Sequence, residues 1–273
     1  IVVTMVAKFI CLAFALLYTA SAASESRIVG GTPTTIEQFP YISALIYHYP
    51  KPNILIQRCV GSIVSSYHVL TTAFCFTGAQ LDNMRIRAGS TNSLEGGVLV
   101  DIDEVIKHPD YVELPRTADI AIVKLKEPLR MSDTINMLFI PPAGTYIPDY
   151  LATKIVSWGF ETEDPSTQLQ TLKTITLNKI PLAECQKNFE NEDVSITDAV
   201  ICASAPGKGI CGGDSGAPMV YNSVLLGLSS FYKNCTTDEY PDVFTRIDSY
   251  TDWIMEVARA PGTSESLRIA TVF

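Results

Sequence analysis

The sequence predicts an all-β protein from Ile28 to about Ala258, a barrel or sandwich rather than a chain of βαβ units. Three observations carry this. Short apolar runs recur between turn clusters, helical spacing is confined to one stretch near the end, and six cysteines follow the leader, an even number as in a disulfide-held chain.

In chain order, the first 27 residues are read as lying outside the fold. Met5 is taken as the start, leaving Ile1 to Thr4 upstream. Lys8, the apolar run FICLAFALL and the small residues Ala20-Ser21-Ala22 make a secretory signal peptide over residues 1–23, too short and wrongly flanked for a membrane anchor. Residues 24–27 are a short segment ending in Arg27, and IVGGT follows from Ile28. The apolar runs are then YISALIY, CVGSIVS, HVLTTAF, MRIRAG, VLVDIDEVI, DIAIVKL, TKIVSWG, APMVY and VLLGLSS. Pro128 to Pro148 is Pro-rich and less periodic, a bridge between two halves. Asp248 to Arg259 spaces Tyr250, Ile254 and Val257 as a C-terminal helix would. Pro261 to Phe273 reads as a loose polar tail.

With 47% hydrophobic residues the chain can bury a substantial core, and 273 residues allow one large β domain or two small ones. The formal net charge of −9 argues against nucleic acid and anionic membranes as partners, and equally keeps a soluble protein soluble. Cys11 leaves with the leader. Cys59, Cys75, Cys185, Cys202, Cys211 and Cys235 remain for disulfides, and many pairings are open to six cysteines. Neither a C-x-x-C pair nor a His cluster suits zinc, and the loop AGSTNSLEGG offers calcium one carboxylate, Glu95. No metal or cofactor is expected.

The stretch CGGDSGAP, Cys211 to Pro218, is where chemistry concentrates. Its glycines let backbone N–H groups crowd around one point, where they can hold an oxyanion beside Ser215. Together with IVGG, DIAIVKL, SWG and YPDVFTRI in the same order and at the same distances, it makes residues 28 to about 258 resemble a trypsin/chymotrypsin-family serine protease of the secreted invertebrate type. The resemblance implies two packed six-stranded β-barrels, about 28–138 and 139–258, with the active site in the cleft between them. It pairs Cys59 with Cys75, Cys185 with Cys202, and Cys211 with Cys235. It also implies that an activating protease cleaves after Arg27, so that the freed Ile28 amine pairs with Asp214. A buried carboxylate needs such a cation.

Carried over residue by residue, Ser215 is the nucleophile, Asp119 the carboxylate that orients the base, and the N–H groups of Gly213 and Ser215 the oxyanion hole. Ser230 matches the serine that contacts the carboxylate. The base should be a histidine in a T-A-A-H-C motif, and the sequence has Thr71-Thr72-Ala73-Phe74-Cys75. A phenyl ring can neither accept nor return a proton. Losing the base costs about 10⁶ in turnover, roughly 8 kcal/mol of transition-state stabilisation. Of the three histidines, His68 is expected to pack in the barrel, His108 lies in a KHPDY turn and His48 in a polar surface loop. None aligns with the cleft. Asp119 is therefore expected to be an under-partnered buried acid with a raised pKa, leaning on Ser230.

In the specificity pocket, Gly209 stands six residues before Ser215 where a trypsin has Asp, beside the large apolar Ile210. Tyr232 replaces a usual glycine on the Ser230-Phe231-Tyr232 wall and narrows or blocks entry, while Asp242 stands at another usual glycine. The Gly209/Asp242 combination is similar to that of some crustacean collagenolytic serine proteases. It implies a small pocket with a displaced negative charge for basic or polar side chains, or equally drift in a pocket released from catalysis. Asn234-Cys235-Thr236 fits the glycosylation pattern, but a bridged cysteine argues against occupancy.

Two function classes follow. The first is a secreted, monomeric, non-catalytic protease homologue that binds a polypeptide, a protease or a protease inhibitor. The second is an active serine endopeptidase of digestion or immunity with an unconventional base. The chemical requirement for a base favours the first.

Overall fold

The computed structural model describes residues 29–160, 170–235, 239–258 and 267–272. The expected signal peptide, Arg27 and Ile28 lie outside these residues. Thirteen strands fill the described chain: β1 (Thr32–Pro33), β2 (Ile42–Tyr49), β3 (Ile54–Ile63), β4 (His68–Thr71), β5 (Met84–Ala88), β6 (Val98–Lys107), β7 (Ala121–Leu125), β8 (Ala152–Ser157), β9 (Lys173–Lys179), β10 (Val200–Ser204), β11 (Pro218–Tyr221), β12 (Val224–Phe231) and β13 (Asp242–Arg246). Strands β2-β3-β4-β7-β6-β5 close into one antiparallel barrel. Strands β9-β10-β13-β12-β11-β8 close into a second through the β8–β9 pairing. Closure leaves neither barrel an open edge. β1 pairs with β9 of the second barrel, although the sequence places the start of the chain with the first.

The burial pattern explains the run types. In β5, Met84, Ile86 and Ala88 face inward while Arg85 and Arg87 alternate outward. In β2 both faces are covered: Leu45 and Tyr47 join the first barrel's interior, and Ile42, Ala44 and Ile46 join the cluster shared with the second. A strand buried on both sides reads as a continuous apolar run, which is why YISALIY lacks alternation. Backbone and side-chain bonds tie the barrels together: Trp158 Nε1 and Leu172 N both donate to Thr91 O, at 2.8 and 2.9 Å.

Between β7 and β8 the chain crosses from one barrel to the other without a named strand, as the Pro-rich stretch predicts. Among the described residues, two short helices accompany the barrels, α1 (Leu182–Asn188) and α2 (Thr251–Val257). α1 was not expected from the sequence; its Cys185 packs with Phe189, Cys202 and Val243 in a satellite core. The C-terminal helix is shorter than expected, preceded by a 3-10 turn at Ile247–Ser249. No helix among the described residues is long and apolar enough to cross a membrane.

Two expectations need correction. His48 is not in a loop but near the end of β2, opposite Leu55 and bonded to Asn53. The tail is not loose over residues 267–272: Ile140 N donates to Arg268 O and Ala270 N donates to Ile140 O, and Leu267 is buried. Apolar residues at 267, 270 and 272 supply the contact face that the polar reading of this stretch overlooked.

Candidate active site

The CGGDSGAP turn is clamped between the barrels. Val60 N of β3 donates to Ser215 O at 2.9 Å, and Gly216 N donates to Ser229 O of β12 at 2.7 Å. A Cβ on Gly216 would stand 2.1 Å from Val60 O and 2.3 Å from Thr71 Oγ1, so only glycine permits this approach of the first barrel. The disulfide Cys59–Cys75 then ties β3 to the 3-10 turn Ala73–Phe76 that carries Phe74. The other two bridges are Cys185–Cys202 and Cys211–Cys235, so all three pairings implied by the resemblance are present.

Gly213 has φ +83°, and two carbonyls of the turn are held. Phe160 N donates to Gly212 O and Gln57 Nε2 donates to Gly213 O, both at 2.7 Å. Because the peptide unit is planar, fixing Gly212 O also fixes the Gly213 N–H on its opposite side. Among the described residues, neither the Gly213 nor the Ser215 N–H has an acceptor, and the Ser215 hydroxyl has no hydrogen-bond partner. Two unspent donors beside a free hydroxyl can hold an oxyanion.

Asp214 is fully buried. Its Oδ1 accepts from Gly159 N at 3.0 Å and its Oδ2 from Cys211 N at 2.8 Å. Burial pushes its carboxyl up to about 7, against the Ser157 hydroxyl and these two N–H groups. A Cβ at Gly159 would fall 2.0 Å from Asp214 Oδ1, which accounts for the glycine of SWG. Gly209 N meets Val29 O at 3.4 Å, so the chain adjoining Ile28 runs along the pocket loop.

Asp119 is 2% exposed. Its Oδ1 accepts from Phe74 N at 2.9 Å; its Oδ2 accepts from Ser230 Oγ at 2.6 Å and faces Arg116 Nη1 at 3.3 Å. Burial raises its pKa, opposed first by Ser230 and then by Arg116 and the Phe74 N–H. The raised acid leaning on Ser230 is as expected, but the acid is not under-partnered. The sequence reading missed Arg116. Its guanidinium lies 4.1 Å over the Phe74 ring and bridges on to Ser230 O at 3.5 Å.

Local backbone geometry aims Arg116. Val112 and Thr117 exchange N–H···O bonds, Ser195 N donates to Pro115 O, and Arg116 itself adopts φ +56°, a left-handed conformation that costs a non-glycine residue about 1 kcal/mol. A cavity of about 230 Å³ lies on this side of Asp119, lined by His108, Asp110, Arg116, Asp119, Thr197 and Tyr250 among others; Ser215 does not line it.

The histidines are engaged away from Ser215. His68 is buried with Nδ1 2.8 Å from Ser65 Oγ, and His108 packs its ring on Tyr250 and Trp253. His48 pairs with Asn53.

Gly209 and Asp242 come together as expected. A Cβ on Gly209 would meet Asp242 Oδ2 at 3.2 Å, so the carboxylate fills the space over the glycine. Asp242 Oδ2 accepts from Ile210 N at 2.9 Å, and burial together with neighbouring Asp214 raises its carboxyl well above the usual range. Tyr232 is half-buried and packs against the core cluster that contains Ile210.

The family model for trypsin matches residues 28–254. The chain belongs to the trypsin family. It is 31% identical over 237 residues to "Trypsin, alkaline B" of Manduca sexta, covering 85% of this chain and 91% of that protein. It is 32% identical over 254 residues to "Trypsin CFT-1" of Choristoneura fumiferana, covering 90% and 98%. The crystal structure of the scabies mite inactivated protease paralogue S-D1 shares the fold, with TM-score 0.76 at 22% identity over 84% of this chain and 96% of that one. Trypsin-family membership accounts for the two barrels and the order of their motifs.

Proposed function

We propose that this chain is a secreted trypsin-family protein whose Ser215 is silent, and that it acts by binding rather than by cutting. One observation carries the reading. The residue beside Asp119, at the position of the expected base, is Phe74, and its ring is covered by a guanidinium. Neither group takes a proton from a serine at neutral pH. With the three histidines engaged elsewhere, an oxyanion hole formed by Gly213 and Ser215 would have no base to work with. The same fold occurs in the mite paralogue described as inactivated.

The binding elements remain. Asp242 gives the pocket a buried acid over Gly209 that suits a basic side chain, while Ile210 and Tyr232 restrict its size. Asp214, buried and raised to about 7, is suited to an ammonium freed at Ile28 by cleavage after Arg27, which would order the pocket. The partner is a polypeptide, a protease or a protease inhibitor that enters the cleft and leaves intact.

The test is reaction with a fluorophosphonate probe after cleavage at Arg27. Ser215 is expected to label no faster than an ordinary surface serine; labelling at the rate of an active trypsin would overturn the reading.

A further inference from the structure

We propose that Arg116 is a second lock on the junction: it occupies the Asp119 lone pair and the space over position 74 that an imidazole would need, so a histidine restored there is not by itself a working base. This rests on the reading of position 74 as that of the lost base.

The geometry is specific. A carboxylate oxygen accepts about two hydrogen bonds. Asp119 Oδ1 takes the Phe74 N–H, while Oδ2 takes both the Ser230 hydroxyl and Arg116 Nη1. An imidazole introduced at position 74 would find Oδ2, the oxygen shared with Ser230, spent, and only the position on Oδ1 that the Phe74 N–H leaves open. It would also lie beneath a permanent cation 4.1 Å from the ring centre. Protonating it there would set two positive charges side by side, which lowers its basicity. The Val112–Thr117 pair and the Ser195–Pro115 bond fix the loop that carries Arg116, and its Nη1 contacts with Asp119 Oδ2 and Ser230 O hold the guanidinium over the ring. Arg116 is thus a positioning residue whose effect runs through Asp119 and position 74.

On the far side of Asp119, His108, Asp110 and Tyr250 line the cavity with Arg116. Asp119 and Arg116 face position 74 directly. Arg58 of β3 donates to the carbonyls of Cys75 and Thr77 in the same turn, and Glu113 accepts from Thr77 Oγ1. Tyr111 feels Asp119, Arg116 and Glu113. Of these, only Arg116 stacks on the ring.

The experiment compares the unchanged chain, Phe74→His, Arg116→Leu and Phe74→His/Arg116→Leu, each cleaved after Arg27. It reads fluorophosphonate labelling of Ser215 against pH together with NMR titration of the introduced imidazole. Phe74→His alone is expected to label close to the unchanged rate, and the double variant at least about 10²-fold faster, the lower range of a general base. The imidazole is expected to titrate about one pH unit lower in the single variant than in the double. If the leucine variant fails to fold, Arg116→Gln removes the charge while keeping a polar head for Asp119. Rapid labelling of the unchanged chain would sink the silent-serine reading itself. Labelling of Phe74→His as fast as the double variant would overturn the role of Arg116 and leave that reading standing. A double variant that stays silent, or equal imidazole titrations in both, would also overturn it.

Discussion

The Arg116 guanidinium lies 4.1 Å above the ring of Phe74 while its Nη1 sits 3.3 Å from Asp119 Oδ2, so one side chain both covers the ring and neutralises the acid. A buried acid that loses its partner must either protonate or unfold its surroundings. Arg116 gives Asp119 a third course, because its guanidinium pairs with the acid.

Arg116→Ala is therefore expected to lower stability by roughly 2–3 kcal/mol, since it strands a buried carboxylate and bares the ring. Urea denaturation at neutral pH measures this. A change below about 0.5 kcal/mol would place Arg116 among surface residues of no structural consequence.

Ser230→Ala removes the 2.6 Å hydrogen bond to Asp119 and is expected to cost about 1–3 kcal/mol. The Asp119 carboxyl should then move further upward, because its largest stabilising partner is gone. NMR titration of that carboxyl reads the direction, and a downward move would contradict the arrangement.

Asp214 sets a pH dependence in the uncleaved chain. Its folded carboxyl, at about 7, lies above the ordinary 3.8, so the folded state holds a proton that the unfolded state has released. Stability is then full below about pH 4 and falls as pH rises toward about 7, by on the order of 4 kcal/mol for this group. Asp119 and Asp242, also raised, act in the same sense. Asp214→Asn should flatten the slope, and cleavage after Arg27 should do the same. A slope unchanged by Asp214→Asn would show that Asp214 does not set it.

Gly159→Ala is expected to cost about 3 kcal/mol, because its methyl would fall within 2.0 Å of Asp214 Oδ1. Thermal unfolding should show a fall of several degrees. An unchanged midpoint would mean that the Asp214 carboxylate can move aside freely.

An amidinium probe such as benzamidine tests the pocket. Asp242→Asn should weaken its binding at least about ten-fold, the loss expected for a charge-assisted hydrogen bond. Affinity in the unchanged chain should rise with pH, because the raised acid must release its proton to bind a cation. Calorimetry that finds no dependence on Asp242 would favour drift over recognition.

Much of this was legible in the sequence because its motifs bind the backbone locally. The glycines of SWG and CGGDSGAP are dictated by one carboxylate and by the approach of Val60, and Gly209 with Asp242 fills one space. Arg116 was not legible. It stands three residues before Asp119 in a loop, and only tertiary contact with a residue forty-two positions upstream, Phe74, gives it meaning. The left-handed φ that aims it belongs to the loop as a whole. The contact of the tail was missed for a related reason: Ile140 lies far upstream of Ile269, in the segment that joins the barrels, and one apolar face alone does not name its partner.

The hydrogen bonds from the run 267–272 to Ile140 have a practical consequence. Ile140 belongs to the segment that joins the barrels, so residues 267–272 are bound along that connection. A chain shortened after Ala258 is expected to loosen that connection and to unseal the apolar seat of Leu267. Two versions differing only in those terminal residues would then bind a cleft ligand with different stiffness, although every cleft side chain were the same.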